Sequence, residues 1–287
     1  MSSPEVGSGR GRTLAIFLAC VVLTLLFVLW LFPYDRLGGF LTGQLQAATG
    51  AQVVIGSVEA GLAGGPALVA QELVLSWPDG TEFTLERVAV RPALAFSWLR
   101  GAPALHVDLM SPAGHIVGTL WPGAPLAFDG SGTALDPAAL PPALLGDDPP
   151  PIAGLLDADL ELATSEAGIL HGQLEFRSED GSLLLPDPPI AIPYTALAGE
   201  LSRDESGETT LHALTLEGPL LSLEGRGTLG ASRHLELAPL SLDVTIRSVE
   251  PALEPLLAPL GISLDSNGET GLQITGTLSQ PVFRVAR

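Results

Sequence analysis

Leu240-Ser241-Leu242-Asp243-Val244-Thr245-Ile246-Arg247 alternates without a fault, apolar residues taking every second place and polar residues the places between. A period of two marks an extended strand with one buried and one wetted face, as antiparallel sheets have. The pattern continues outward from this stretch. Downstream it closes on Leu272, Ile274, Gly276 and Leu278. Upstream, Leu211, Leu214 and Leu216 lead through Gly218-Pro219 into Leu221, Leu223 and Leu229. Further back, Leu160 and Leu162 face Ile169, Leu174 and Phe176 across a loop holding Ser165, Glu166 and Gly168. Pro186 to Pro193 reads as a proline-broken loop between these strands.

The first half follows the same rule. Val53, Ile55 and Val58 open a strand, and Leu73 and Leu75 continue the pattern. Pro78-Asp79-Gly80 then turns the chain toward Phe83, Leu85, Val88 and Val90, because Pro presets φ, Asp favours turns and Gly accepts positive φ. Arg91-Pro92 ends that strand, and Ala93 to Leu99 fits one helical turn before Gly101. Leu105, Val107 and Leu109 are predicted to pair with Ile116, Gly118 and Leu120 across Ser111-Pro112-Ala113-Gly114. Asp136-Pro137-Ala138 and Glu250-Pro251-Ala252 each set an acid and a Pro before a Leu-rich turn, favourable at a helix start. They are either an internal repeat or a coincidence of simple composition.

The N-terminus follows a different rule. No charge occurs between Arg12 and Asp35, and Leu14 to Phe32 is almost wholly Leu, Val, Phe, Ile and Ala. That length spans a bilayer core of ~30 Å as a helix, so residues 13–34 are predicted to be a transmembrane helix. A cleaved signal would need a small-x-small site, but the segment ends Leu31-Phe32-Pro33-Tyr34. In a lipoprotein signal the apolar run would end near Cys20, yet here it continues past that residue. Arg10 and Arg12 lie on one side of the span while Asp35 neutralises Arg36 on the other, so residues 1–12 are expected in the cytoplasm. Leu37, Phe40, Leu41 and Leu45 follow at helical spacing with a stop at Gly50, giving an amphipathic juxtamembrane helix over 35–50 or a spacer helix against the body. The body then divides into a first β region at 51–146, a Pro-rich linker at 147–151 and a second β region at 152–287.

The 287 residues carry a net charge of −19, and all thirteen basic residues are Arg. An acidic chain with no basic face has nothing to offer phosphates, which argues against nucleic acid as a partner. With only Cys20, the body forms no internal disulfide. Aromatic residues make up 5%, so Leu, Val and Ala must supply the core. The five histidines, His106, His115, His171, His212 and His234, show no paired helical spacing, although His106 and His115 could approach across their hairpin. Two histidines alone still lack ligands for a metal. Gly130-Ser131-Gly132 reads as a turn without the frame of a nucleophile elbow. Asp265-Ser266-Asn267-Gly268-Glu269 lacks the distal carboxylate of a calcium loop and reads as an Asn-Gly turn. No catalytic, cofactor-binding or metal-ligating residue is assigned, no cofactor is expected, and the chain is not read as an enzyme.

The fold class expected is mainly β: one transmembrane helix, then an extended, curled antiparallel sheet with a few short helices. Leu and Val keep their phase over so many strands, with few aromatics, that the apolar face must be hidden somehow. A two-layer sandwich would hide it against itself. A single curled sheet would leave a groove able to take acyl chains, since each CH₂ leaving water gains about 0.8 kcal/mol. The sequence leaves both open.

The order of anchor, Phe32-Pro33-Tyr34-Asp35-Arg36-Leu37, amphipathic turn, then Thr49-Gly50-Ala51-Gln52-Val53-Val54-Ile55-Gly56 resembles the start of the GspN family of the type II (general) secretion pathway in Gram-negative bacteria. Gly65-Pro66-Ala67-Leu68 with Leu73-Val74-Leu75 is similar to that family's strand after a Gly/Pro turn. The close, Ile274-Thr275-Gly276-Thr277-Leu278-Ser279-Gln280-Pro281-Val282-Phe283, resembles the wider AsmA-like group of periplasmic β proteins. The resemblance implies a non-enzymatic, single-pass inner-membrane protein with a periplasmic body, accessory to the type II secretion system. Its partners would be the inner membrane and other secretion subunits, met by strand addition at sheet edges. The AsmA-like likeness implies the alternative of a lipid-binding or lipid-transfer protein of the cell envelope, with phospholipid acyl chains as ligands. The family carries no catalytic residues to transfer.

Overall fold

The computed structural model describes residues 50–61, 67–93, 104–123, 125–141, 152–165, 167–186, 189–232, 238–248, 265, 268–277 and 280–286, with Thr42 and Gln46. The predicted transmembrane span 13–34, the turn at Ala93 to Leu99, the linker 147–151, the second acid-Pro segment and His234 lie outside these, Ala93 excepted. Among the described residues no helix is long and apolar enough to cross a membrane. Of the juxtamembrane helix, Thr42 and Gln46 are helical, and Gly50 at φ +67 donates its N–H to the Gln46 carbonyl at 2.9 Å. That left-handed close is the stop expected at Gly50.

The described strands form one sheet. Its strands are β1 (Gln52–Gly61), β2 (Ala67–Ser76), β3 (Glu82–Pro92), β4 (Leu105–Ser111), β5 (Gly114–Trp121), β6 (Ala127–Leu135), β7 (Ile152–Ala153) and β8 (Leu156–Thr164). They continue as β9 (Leu170–Pro186), β10 (Pro189–Arg203), β11 (Thr209–Glu217), β12 (Leu221–Leu229), β13 (Pro239–Ser248), β14 (Glu269–Thr277) and β15 (Gln280–Ala286). Each strand pairs antiparallel with its neighbours in chain order, except that β6 pairs with β8 while the short β7 pairs with β9. The two β regions are therefore continuous, joined where Phe128 meets Leu162 and Gly130 meets Leu160. Beyond isolated touches, packing joins only strands adjacent in this path, plus what β7 makes with β9 and with a 3-10 turn at Pro137–Ala139. Among the described residues no second sheet covers the first, so the sandwich alternative falls and the curled single layer stands.

Two predicted hairpins hold. Leu105 meets Leu120, Val107 meets Gly118 and Leu109 meets Ile116. Leu73 meets Leu85 and Leu75 meets Phe83 across the Pro78-Asp79-Gly80 turn. The acid-Pro start at Asp136 caps its 3-10 turn, its carboxylate accepting the Ala138 N–H at 2.9 Å.

Three readings need correction. Pro189 to Pro193 belongs to β10, not to a loop. β10 pairs with β11 only from Ala196 onward, so its proline-bearing end projects beyond that neighbour, where a missing N–H costs no ladder bond. Gly130-Ser131-Gly132 lies mid-strand in β6 rather than in a turn, because Phe128 needs the space: a Cβ at Gly130 would sit 2.7 Å from its ring and one at Gly118 2.6 Å. Ile169 closes a turn instead of facing Leu160, which meets Leu174.

Three hairpins, and the turn that leads into β14, share one geometry. Trp77, Ser165, Asp204 and Asp265 each donate an N–H to the carbonyl four residues on and accept one from the glycine three residues on. Those glycines, Gly80, Gly168, Gly207 and Gly268, all stand at positive φ. Three-residue hairpin loops need a left-handed residue in that position, which glycine occupies without a Cβ clash.

Candidate functional site

On β8 the two faces of the sheet are plainly different. Leu156, Leu160 and Leu162 are half-buried, while Asp157, Asp159 and Glu161 between them are exposed. Among the described residues no second strand layer lies over the leucines. A sheet curled toward them would account for their burial, since side chains crowd together on the inside of a curve and spread apart on the outside. We call the apolar side the inner face.

Register carries this inner face through most of the sheet. Leu160 meets Leu174, Leu174 meets Leu201, and Leu201 meets Leu211. Leu242 meets Ile274 further on. Glycines on the same face are covered by aromatic rings: Phe128 lies across Gly118 and Gly130, and the Phe176 ring occupies the space a Cβ on Gly199 would need. Large and small residues thus alternate across the inner surface.

The face is deepest where β9 and β10 outrun their neighbours. Ile192, Tyr194, Leu197, Leu216, Leu221, Ile246 and Leu272 form a buried cluster there, with Phe176, Leu183 and Val244 against it. Tyr194 is 2% exposed. Its hydroxyl donates to the Ala153 carbonyl at 3.4 Å and lies 2.9 Å from Ser178 Oγ, which is left to donate in turn. A second cluster of Ala51, Val53, Leu73 and Leu75 closes the other end, packed by Phe83 and Leu85.

The outer face is acidic. Asp159, Glu175 and Glu200 stand directly opposite one another on β8, β9 and β10, a juxtaposition of like charge that sheets normally avoid. Asp157 meets Arg177 beside them, and with Ala198 and Thr215 these side chains line an open depression. Arg247 reaches Glu269 with Nε at 2.7 Å from Oε1, and this carboxylate holds the guanidinium pKa above its ordinary value. In the Asp204 turn, the Ser206 hydroxyl foremost, joined by backbone N–H groups of Glu208, Ser206 and Gly207, holds the Asp204 carboxyl below its ordinary pKa.

The sequence candidates for chemistry scatter over this outer face. His106 pairs with Thr119 and His115 with Met110, so the two histidines stand on different levels of their hairpin. His115 instead meets Asp108, Nε2 to Oδ1 at 2.9 Å. His212 sits in a bulge of β11, 2.6 Å from Ser202 Oγ. Among the described residues no three His, Cys, Asp or Glu side chains gather as a metal site would need. The acidic ladder and the Phe-over-Gly packing escape a linear reading, because both arise from residues brought opposite by register. The leucine phase was their only sequence signal. No family model, curated protein or solved structure matches this chain.

Proposed function

We propose that this protein is a non-catalytic, membrane-tethered lipid-binding component of the cell envelope, holding acyl chains in the groove formed by the inner face of its curled sheet. One observation carries the reading: a broad Leu/Val surface runs from strand to strand, and among the described residues no second layer covers it. Left in water such a face is costly, whereas each acyl CH₂ that replaces water on it gains about 0.8 kcal/mol. The acidic outer face keeps the other side wetted and the molecule soluble. The apolar span at 13–34 and its flanking arginines support a membrane anchor with the body outside the cytoplasm, and the resemblance to the GspN family implies that this membrane is the inner membrane of a Gram-negative cell and the outer compartment its periplasm.

Photo-crosslinking in cells tests the groove directly. A benzophenone side chain replacing Leu160 or Leu242, on the inner face, is expected to capture phospholipid. The same group replacing Glu161 or Ser241, one residue away on the outer face, should capture little. Equal capture from both faces, or none from the inner one, overturns the reading.

The resemblance to the GspN family supports a second reading, membership of the type II secretion system. The unpaired ladder groups of the two outermost strands favour it, since secretion subunits could add strands there. Co-purification with secretion subunits and a secretion defect on deletion are its expected outcomes. Unchanged secretion in the deletion strain counts against it.

A further inference from the structure

Both ends of the sheet are open: among the described residues β1 and β15 each have a neighbour on one side only. The path between them contains fourteen strands, each antiparallel to the next. An even number means that β1 and β15 run in opposite directions. A second copy moved along the sheet, without being turned over, therefore lays its β1 antiparallel to the first copy's β15 and keeps the inner face inside.

Register makes the fit specific. Followed from pair to pair, the level of Val58 leads through Val88, Ile116, Phe176 and Val244 to Val285. The next level, on the outer face, begins at Glu59 and ends at Arg284, crossing Asp108, Asp159, Glu200 and Asp243 and the bulge at His212. Continuing both levels into a second copy without slippage sets Val285 against Val58 and Arg284 against Glu59. Glu59 and Arg284 are both exposed, and neither forms an ion pair among the described residues. Val282 and Val285 are 47% and 41% exposed, an apolar cost that a neighbouring strand would remove. Two-fold pairing of like edges lacks this match: an antiparallel register centred on Arg284 or on Glu59 sets like charges opposite, which is destabilising.

We propose that copies of this chain join head to tail, β15 of one against Ser57–Gly61 of the next, with Arg284 facing Glu59 and the apolar inner face running on from copy to copy. The contact is heterologous, so it adds copies in a row until a rotation closes them into a ring. It uses the part of β1 farthest from Gly50. The proposal is independent of what the inner face binds.

Cysteine pairing tests it on the full-length chain in detergent, in a Cys20→Ser background. Directly opposed strand residues bring Cα atoms within disulfide range. Chains carrying Glu59→Cys alone and Arg284→Cys alone are expected to crosslink when mixed under mild oxidation, several-fold above either variant by itself. Arg284→Glu should abolish co-sedimentation of the otherwise unmodified chain, and adding Glu59→Arg should restore it. Both sites are exposed, and circular dichroism checks that the sheet persists. Crosslinks formed equally by one variant alone would show two-fold pairing and overturn the proposal. A mixture that yields no crosslink overturns it as well.

Discussion

Tyr194 shows how much can depend on one side chain in a single-layer sheet. It is buried among leucines, yet its hydroxyl joins β10 to Ser178 on β9 and to the Ala153 carbonyl on β7. Gly181 lies close enough that a Cβ there would collide with that hydroxyl. Tyr194→Phe keeps the ring but strands Ser178, itself 4% exposed, with an unmet hydroxyl. Leaving a buried polar group unsatisfied costs about 1–3 kcal/mol. The variant is expected to lower the urea midpoint by a corresponding amount with an unchanged slope, and Ser178→Ala in the same chain should recover part of the loss. None of this was legible in the sequence, where Tyr194 followed what looked like a proline-broken loop. Prolines signal a loop because they lack a donor, and only the overhang of β10 beyond β11 shows that no donor was needed there.

At the scale of elements, turns were readable and bulges were not. Pro78-Asp79-Gly80 announced its hairpin through local backbone chemistry, and the other glycine-closed turns follow the same rule. The bulges at Gly132–Leu135, Glu200–Leu201 and Leu211–Leu214 sit on residues with no such signature, and so do two kinks at which the register is kept. Glu72 stands at φ +54 between Gln71 and Leu73, and the apolar phase of β1, β2 and β3 shifts by one residue at its level, from Ile55, Leu73 and Leu85 to Val58, Ala70 and Val88. Asp180, at φ +53, marks a similar change on β9, where Phe176 and Ser178 give way to Gly181 and Leu183. No residue is inserted at either place, since the register is kept on both sides, but a left-handed residue turns the strand locally. It also costs a non-glycine residue roughly 1–2 kcal/mol. Glu72→Gly is therefore expected to stabilise the fold by up to about 1 kcal/mol, less the backbone entropy glycine adds to the unfolded chain. Glu72→Val should destabilise it. Thermal unfolding of the two variants beside the parent decides the matter, and a destabilised glycine variant would show that the glutamate side chain, not the backbone, holds the kink.

The whole molecule is held together by neighbours. Because each strand packs chiefly on the two beside it, stability is close to a sum of local terms, as in repeat proteins. Such a sheet should open from its ends. Hydrogen exchange is expected to be fastest in β1 and β15, slower inward, and slowest in β9 and β10, the longest strands and the site of the main buried cluster. Uniform protection across all strands would show cooperativity that neighbour-only packing does not provide. The same architecture explains the difference between the faces. A sandwich hides its apolar side against a second sheet, whereas among the described residues this sheet has none to pack against.

The alternation of Leu, Val and Ile with polar residues settled the strand class, most strand pairings and which residues share a face, because a period of two is written locally in the backbone. Where turns are short, the order of the strands followed from them, since a short turn leaves each strand no partner but the next; the longer connections at 93–104, 136–155 and 249–268 did not fix it. Tertiary structure alone decided that one layer curls instead of two layers stacking, that like-charged Asp159, Glu175 and Glu200 come to stand side by side, and that Phe176 fills the space above Gly199. Those outcomes depend on register and curvature summed over many strands, and no short stretch of sequence encodes such a sum.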